Sequence, residues 1–410
     1  MGERWESVPL DELVEEIIDR RGVTPLKLGS DFVPSGHRVI SAKLIKGGRI
    51  DLTADEPRFV GPAVYRRWMR TPLFADDVIL TSEAPLGEVA YVDQQLDWCL
   101  GQRLFGVRTK KSRMVGRFLY YALQSESVRS DLLSRASGTT VLGIRQTELR
   151  RVLVPVPNID QQRSIAEILG ALDDKIELNR RMNETLEAMA RALFKSWFID
   201  FDPVHAKVKD LVEDGVLEIG DGYRAKNSEM GTPGLPFVRA GDLDGGFNTS
   251  SAEMLGEASV EKAGSKVSRP GDVAFTSKGT IGRFARVTRL TDPFVYSPQV
   301  CFWRSVDPKK LDPGILYCWM QSEDLRRQIE AVAGQTDMAP YVSLRDQREM
   351  EIPVFPESQS TVAAQIRPVL ARQDLLTTET RTLASLRDTL LPKLLSGELQ
   401  VRRSIGGRSA

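Results

Sequence analysis

From residue 160 onward the chain repeats steps of four and three through Ile165, Leu169, Leu172, Ile176, Asn179, Asn183, Leu186, Ala190, Leu193 and Trp197. That is the spacing of a helix with one buried stripe, held for more than four heptads. At 1.5 Å per residue it predicts a helix of roughly 50 Å. Asp160 is placed as its N-cap and Pro203 as its stop. Asn179 and Asn183 break the apolar run: either they fix the register of a facing helix, or the pair opens there to a partner or to water. A second, more polar seam runs through Val362, Ile366, Val369, Gln373, Leu376, Thr380, Leu383, Arg387, Leu390 and Leu394. Pro368 predicts a kink or a late start, with a clean helix only over 371–391. Two long seams in one chain are most simply buried against each other as an antiparallel pair.

Outside the seams the pattern is different. Short β-like runs (DVILTS from Asp77, LFGVR from Leu104, DVAFTS from Asp272, QVCFWR from Gln299) stand among glycines and prolines. Two helical runs follow, from Leu119 and from Gly314. These features predict a compact α/β domain with several short strands, and they occur twice. Asp77, Val78, Thr81, Ser82, Gly87 and Val92 return 195 residues later as Asp272, Val273, Thr276, Ser277, Gly282 and Val287. Gln102, Phe105 and Leu119 match Gln299, Phe302 and Leu316 at 197, and Pro155 matches Pro353 at 198. One ordered series with so slow a drift is a duplicated unit of just under 200 residues. The expected fold is α/β (α+β): two similar domains separated by an antiparallel pair of long helices, with pseudo-two-fold internal symmetry. The expected segments are 1–154, 155–203, 204–354 and 355–410.

Composition narrows the function. The chain is 41% hydrophobic and 27% charged, as in ordinary globular proteins. Lys+Arg and Asp+Glu are both 56, which argues against a nonspecific polycation but leaves room for local basic loops. Cys99, Cys301 and Cys318 have no metal-site spacing and form an odd set, so free thiols are expected. The first residues lack a signal-peptide core, and no apolar run approaches ~18 residues, so a soluble cytoplasmic chain is expected. No GxxxxGK[ST] loop is present. The string Asp200-Phe201-Asp202-Pro203 lacks the second proline that an amino-methyltransferase tetrapeptide needs. His37 and His205 are far apart in sequence and lack partners at metal or triad spacing, and Asp173-Asp174 reads as solvated charge on a helix flank. The chemistry is that of a binding module.

Particular strings then carry a resemblance. ILGALDDKIELNRRMNETLEAMARALFKSWFIDFDPV, from Ile168, resembles the central conserved region of type I restriction-modification specificity subunits. TLASLRDTLLPKLLSGEL, from Thr382, resembles their C-terminal conserved region. IGDGYRAKNSEMGTPGLPFVRAGDL, RPGDVAFTSKGTIGR and SPQVCFWRS resemble the start and middle of a target-recognition domain of that family. The resemblance implies a non-catalytic DNA-reading subunit with target-recognition domains at 1–154 and 204–354. It implies assembly with two methyltransferase subunits and two motor-nuclease subunits. S-adenosylmethionine, ATP and Mg²⁺ would serve those partners, and no cofactor would sit on this chain. Two nonidentical readers imply a bipartite, asymmetric target.

Phosphate contacts are expected from Lys and Arg, and base-edge contacts from polar side chains on loops. The candidates are Lys43, Lys46, Arg49, Ser82, Arg103 and Arg145 in the first domain, and Arg224, Lys226, Arg239, Lys278, Arg283 and Gln299 in the second. Leu186, Leu193, Trp197, Leu390 and Leu394 carry more apolar surface than a helix pair needs near its ends, and are expected to meet the methyltransferase. Two rival readings are a coiled-coil adaptor with no DNA contact and a standalone methyltransferase or nuclease. The adaptor would show no salt-dependent affinity for DNA.

Overall fold

The computed structural model describes residues 5–201, 203–243, 246–278, 281–333 and 341–401. The chain divides into two compact units: Met1–Ile176 with Thr382–Ala410, and Glu177–Arg381.

In the first unit the order is β1 (Glu6–Pro9), α1 (Leu10–Leu13), β2 (Val14–Asp19), β3 (His37–Ile40), β4 (Ile45–Lys46), β5 (Arg49–Ile50), β6 (Phe59–Val60), α2 (Pro62–Trp68), β7 (Val78–Ser82), β8 (Leu86–Tyr91), β9 (Cys99–Leu100), β10 (Leu104–Thr109), α3 (Gly116–Ala122), α4 (Glu126–Ser134), α5 (Gln146–Leu149) and β11 (Leu153–Val156). The long helix α6 (Ile159–Asp200) follows. β2, β10, β7 and β8 form an antiparallel sheet in that order. β7 is apolar at successive positions because both faces of the sheet are covered. Val78 and Leu80 pack with Phe118 and Leu119 of α3. Ile79 faces the other way, into a cluster with Ile40, Val60 and Leu100. Those last three lie on the small sheet β6-β3-β9, where β3 and β9 are parallel. β1 pairs with β11 as far as Val156, and α6 starts at Ile159, so the first domain runs past the expected boundary at 154.

The second unit repeats this order: β12 (Val204–Lys207), α7 (Val208–Glu213), β13 (Leu217–Gly220), β14 (Gly234–Val238), β15 (Met254–Gly256), α8 (Glu257–Ala263), β16 (Val273–Thr276), β17 (Phe284–Arg286), β18 (Val295–Tyr296), β19 (Val300–Ser305), α9 (Pro313–Met320), α10 (Glu323–Ala333), α11 (Leu344–Glu349), β20 (Glu351–Val354) and α12 (Gln359–Leu395). Its sheets are β13-β19-β16-β17, β15-β14-β18 and β12-β20. The β4–β5 hairpin has a shorter counterpart in the second unit, where Leu243 bridges Phe247. Along the chain the long helix α6 lies between two sheet-rich domains of one topology, as the repeat requires.

Strand register corrects two sequence matches. Leu80 faces Phe105, and its equivalent Phe275 faces Cys301, so Phe105 corresponds to Cys301 and not to Phe302. On this strand the offset is 196, and the residue equivalent to Gln299 is Arg103, not Gln102. A slip of one residue matters because it moves every side chain to the opposite face. The corrected register also explains why Asp77 and Asp272 recur. Asp77 takes two hydrogen bonds from Arg108, at 2.9 and 2.7 Å, and Asp272 takes two from Arg304, at 2.7 and 2.8 Å. Glu16 and Glu218 flank the two arginines at 3.8 and 3.1 Å. Asp77 and Asp272 are buried at 1% and 0% exposure, so each needs its arginine. Hydrogen bonds with Asp77 hold Arg108 above its ordinary pKa. Burial works against the charge of Arg304, but its bonds to Asp272 outweigh it and the pKa is raised.

The long helices depart from expectation at their starts. Asn158 caps α6 by accepting the Gln161 N–H at 2.9 Å, and Asp160 lies in the first turn. α12 runs unbroken from Gln359 to Leu395, straight through Pro368. Proline inside a helix costs about 3 kcal/mol. Val362, Ile366, Val369 and Leu370 are buried in the core of the second unit. At about 1.5–3 kcal/mol each, their burial outweighs that cost.

Within the second unit Asn179 donates to Glu379 at 2.9 Å, Asn183 to Thr377 at 3.3 Å and Trp197 to Gln365 at 2.9 Å. Positions on α12 fall as those on α6 rise, so the segments run antiparallel. Asn179 is fully buried, which favours register fixing over opening to water at that position. Within the first unit Arg387 reaches Asp173 at 2.8 Å, and Leu394 packs in the cluster of Ile165 and Leu169. Asp173 also accepts the Tyr121 hydroxyl at 2.6 Å, and Asp174 pairs with Arg117. Asp173 is therefore a clamp that holds α3 to the helices, while Asp174 pairs with Arg117 and remains mostly in water. Burial first, and then Asp173, pushes the Tyr121 phenol above its ordinary pKa.

The expected surplus apolar surface lies elsewhere. Trp197 and Leu394 are core residues at 0% and 1% exposure and present no face to a partner. Leu186 and Leu193 are half-buried against the core of the second unit, and Leu390 against that of the first. These positions face their own domain as well as the facing helix, which uses up their surface. The exposed apolar residues are Ile168, Leu178 and Met189 on α6, with Leu375 and Leu386 on α12. Among the described residues no helix is long and apolar enough to cross a membrane.

Candidate nucleic-acid interface

Each unit gathers loops at one end of its four-stranded sheet, and the backbone builds both ends alike. In the first unit β3 and β9 are parallel and end together, with the Gly101 N–H donating to the Ile40 carbonyl at 2.8 Å. A Cβ at position 101 would lie 2.4 Å from that carbonyl oxygen, so only glycine fits. Two residues on, Arg103 adopts φ 70° and its carbonyl accepts the Ser82 N–H at 2.8 Å. The Ser82 carbonyl in turn accepts the Ile144 N–H at 2.9 Å. The second unit repeats the chain of bonds. The Ser297 N–H donates to the Val238 carbonyl at 2.9 Å, Ser277 to Gln299 at 3.1 Å and Val342 to Ser277 at 3.0 Å. The loop after Ser82 and the loop after Ser277 each carry a glycine in the left-handed region, Gly87 at 88° and Gly282 at 87°. Thr81 and Thr276 brace those loops by accepting the N–H of Glu88 at 2.8 Å and of Arg283 at 3.2 Å.

On this common frame the exposed chemistry differs. Arg103 stands where Gln299 stands, Glu83 where Lys278 stands and Glu88 where Arg283 stands. Glu83 and Arg103 form an ion pair at 3.0 Å, with both side chains half-exposed. Lys278 and Gln299 are exposed. Lys278 is bridged to Tyr341, an exposed aromatic that sequence reasoning missed.

The other candidates divide as follows. Ser82 is 2% exposed, so its side chain is framework and not a base contact; its recurrence as Ser277 reflects the repeated backbone bonds. Arg145 is exposed at the start of α5. Lys43 follows β3 and sits 3.8 Å from Asp55. Lys46 and Arg49 flank the turn Gly47-Gly48, whose φ values of 60° and 79° suit a tight hairpin. The Tyr120 hydroxyl donates to the Gly48 carbonyl at 2.9 Å, and its ring lies beside Tyr91. That hairpin is therefore at the Tyr91 end of β8, opposite the Ser82 end that carries Arg103 and Arg145. In the second unit the candidates are grouped more closely. Arg224 follows Tyr223, whose N–H donates to the Tyr296 carbonyl at 2.7 Å, and Lys226 is exposed just beyond. Arg239 follows β14 and pairs with Glu253 at 2.5 Å. Arg283 is exposed beside Leu243, whose carbonyl lies 3.5 Å from its guanidinium. With Lys278 and Gln299 these form one polar, mostly basic edge. Among the described residues no group of three His, Cys, Asp or Glu is placed to hold a metal.

Comparison with known proteins gives a consistent set. The sequence profile of the type I restriction modification DNA specificity domain matches residues 3–188. The chain is 28% identical over 350 residues, 79% of this chain and 78% of the other, to the type I restriction enzyme MjaIX specificity subunit of Methanocaldococcus jannaschii. It is 33% identical over 135 residues, 32% of this chain and 29% of the other, to the HindI specificity subunit of Haemophilus influenzae. The crystal structure of the type I restriction-modification system S subunit from M. genitalium superposes with a TM-score of 0.58, at 17% identity, over 95% of this chain and 96% of that one. At that identity the likeness establishes the fold.

Proposed function

We propose that the chain is a member of the specificity-subunit family of type I restriction-modification systems, and that within its complex it reads a bipartite, asymmetric DNA target, one half-site per unit. Membership makes it a non-catalytic, sequence-specific DNA-recognition subunit that assembles with methyltransferase and restriction subunits. The observation that carries the finer reading is the repeated frame with unlike side chains: Arg103 against Gln299, Glu83 against Lys278, Glu88 against Arg283. One frame presents loops to DNA in the same way twice. Different side chains on it read different bases. Arginine suits the two acceptors of guanine, and glutamine suits the acceptor and donor of adenine. The basic residues around them (Lys43, Arg145, Arg224, Lys226, Arg239) contact phosphates and set the register without choosing sequence.

Two methyltransferase subunits and two motor-nuclease subunits complete the cytoplasmic complex, and S-adenosylmethionine, ATP and Mg²⁺ serve those partners. The exposed apolar residues of α6 and α12 are the surface that the methyltransferase covers. The test is selection of bound sequences from random duplex DNA by the full chain with its methyltransferase. Two short fixed half-sites flanking an unspecified spacer are expected. A chain that acts only as an adaptor would enrich no sequence, and that result would overturn the proposal.

A further inference from the structure

The loop at 138–142 stands beside the Arg103–Glu83 pair and carries two exposed aliphatic side chains. Ser137 and Gly143 exchange two backbone hydrogen bonds, both 2.9 Å, and close the loop at its base. Gly143 is bridged to Glu83, the partner of Arg103, and Ile144 donates to Ser82. Arg21 donates to the Ile144 carbonyl at 3.2 Å while its guanidinium stacks 4.0 Å over Phe105. The base is thus fixed to the sheet end from three sides. Gly138 has φ 125°, and a Cβ there would meet the Val141 carbonyl oxygen at 2.1 Å, so the turn is built for glycine. On this fixed base residues 137–142 are all exposed. Val141 and Leu142 hold 48% and 51% of their surface in water, side by side. Neither the Thr139 nor the Thr140 hydroxyl makes a side-chain hydrogen bond among the described residues.

Two adjacent aliphatic side chains held out by a loop of fixed base, beside the Arg103–Glu83 pair and the exposed Arg145, fit a surface that is apolar in small spots and anionic around them. The major groove of DNA is such a surface: the thymine C5-methyl is its apolar feature, and phosphates line its rim. We infer that Val141 and Leu142 read thymine methyl groups in the half-site of the first unit, with Thr139 and Thr140 bonding neighbouring base edges. This rests on the DNA-reading role proposed above. A partner protein is the other occupant to test, but Arg145, exposed at the foot of the loop, favours an anionic one.

The experiment uses the full chain with its methyltransferase. Its target is first defined by selection, and each thymine of the two half-sites is then replaced by deoxyuridine, which removes only the methyl group. At one or more positions of a single half-site the wild type should lose roughly fourfold in affinity per methyl. The variant Val141→Thr/Leu142→Ser should be insensitive to the same replacements and should select no thymine there, while its thermal unfolding stays unchanged. Three results would overturn the inference and leave the DNA-reading role intact: no thymine in the half-site that the variant alters, equal deoxyuridine sensitivity in wild type and variant, or an altered complex assembly with unchanged sequence preference. Failure of the wild type to enrich any sequence would instead remove the role itself, and the inference with it.

Discussion

Replacing Arg304 by methionine tests how the repeated frame is held. The change keeps most of the aliphatic stem and removes the guanidinium, which is 7% exposed against a fully buried Asp272. Arg304 donates to Asp272 at 2.7 and 2.8 Å, to Glu218 at 3.1 Å and to the carbonyls of Ser265 and Val267 at 3.2 and 3.0 Å. Without it Asp272 retains the Tyr296 hydroxyl at 2.9 Å and the Arg269 N–H at 2.8 Å. That is too little for a buried carboxylate, and breaking one side of such a pair costs about 3–5 kcal/mol. For a unit of this size each kcal/mol lowers Tm by about 2–4 °C, so a fall of roughly 10 °C is expected. Removing both charges should be milder than removing one. The double variant Asp272→Asn/Arg304→Met should therefore recover at least about 1 kcal/mol of the loss. Urea unfolding of the full chain, followed by tryptophan fluorescence, reports on the second unit through buried Trp303 and Trp319. A cost below about 1 kcal/mol, or a double variant no better than the single one, would refute the argument that burial makes this pair indispensable.

Four further outcomes follow from the same geometry. Pro368→Ala should stabilise the chain by about 1–3 kcal/mol in urea unfolding, since α12 already runs through that position and alanine restores its hydrogen bond. Lys46→Ala should reduce the slope of log K against log salt by about 0.9 if the β4–β5 hairpin neutralises a phosphate; an unchanged slope would remove that residue from the interface. All three thiols are buried, and burial pushes Cys99 and Cys318 up to about 12 and raises Cys301, so the native chain should resist a thiol reagent at pH 8 until it unfolds. Met189→Asp, at a position half-exposed on α6, should weaken assembly with the methyltransferase in gel filtration and leave far-UV circular dichroism unchanged.

Much of the architecture was legible because it depends on periodicity. A seam of fours and threes specifies a helix wherever it is buried, and the matches from Asp77 to Val92 specified the duplication without any structure. The failures have local causes. Gln102 was paired with Gln299 because the residues are identical, whereas the sheet register pairs Arg103 with Gln299. Pro368 predicts a kink or a late start, but α12 begins at Gln359 because propensity is weaker than four buried side chains. Trp197 and Leu394 were read as surplus surface because a seam does not reveal which domain packs on its flank. Ser82 illustrates a more general limit. Recurrence as Ser277 favours a framework role over base contact, and the backbone N–H and carbonyl are what recur in use while its side chain is buried. The loop at 138–142 carried one readable signal, a glycine before two threonines and two aliphatics. Nothing in sequence placed it beside Arg103, which lies some 35 residues earlier in the chain.

The central claim is that each unit reads its own half of the target from equivalent positions. Gln299→Arg and Arg103→Gln exchange the chemistry of those positions on an unchanged frame. Each variant, assembled with its methyltransferase, would be put through selection from random duplex and methylation-site sequencing in cells. Gln299→Arg should change one base preference, from adenine toward guanine, in one half-site, and Arg103→Gln should make the reverse change in the other. Unchanged targets for both variants, or changes spread over both halves by either one, would contradict the account.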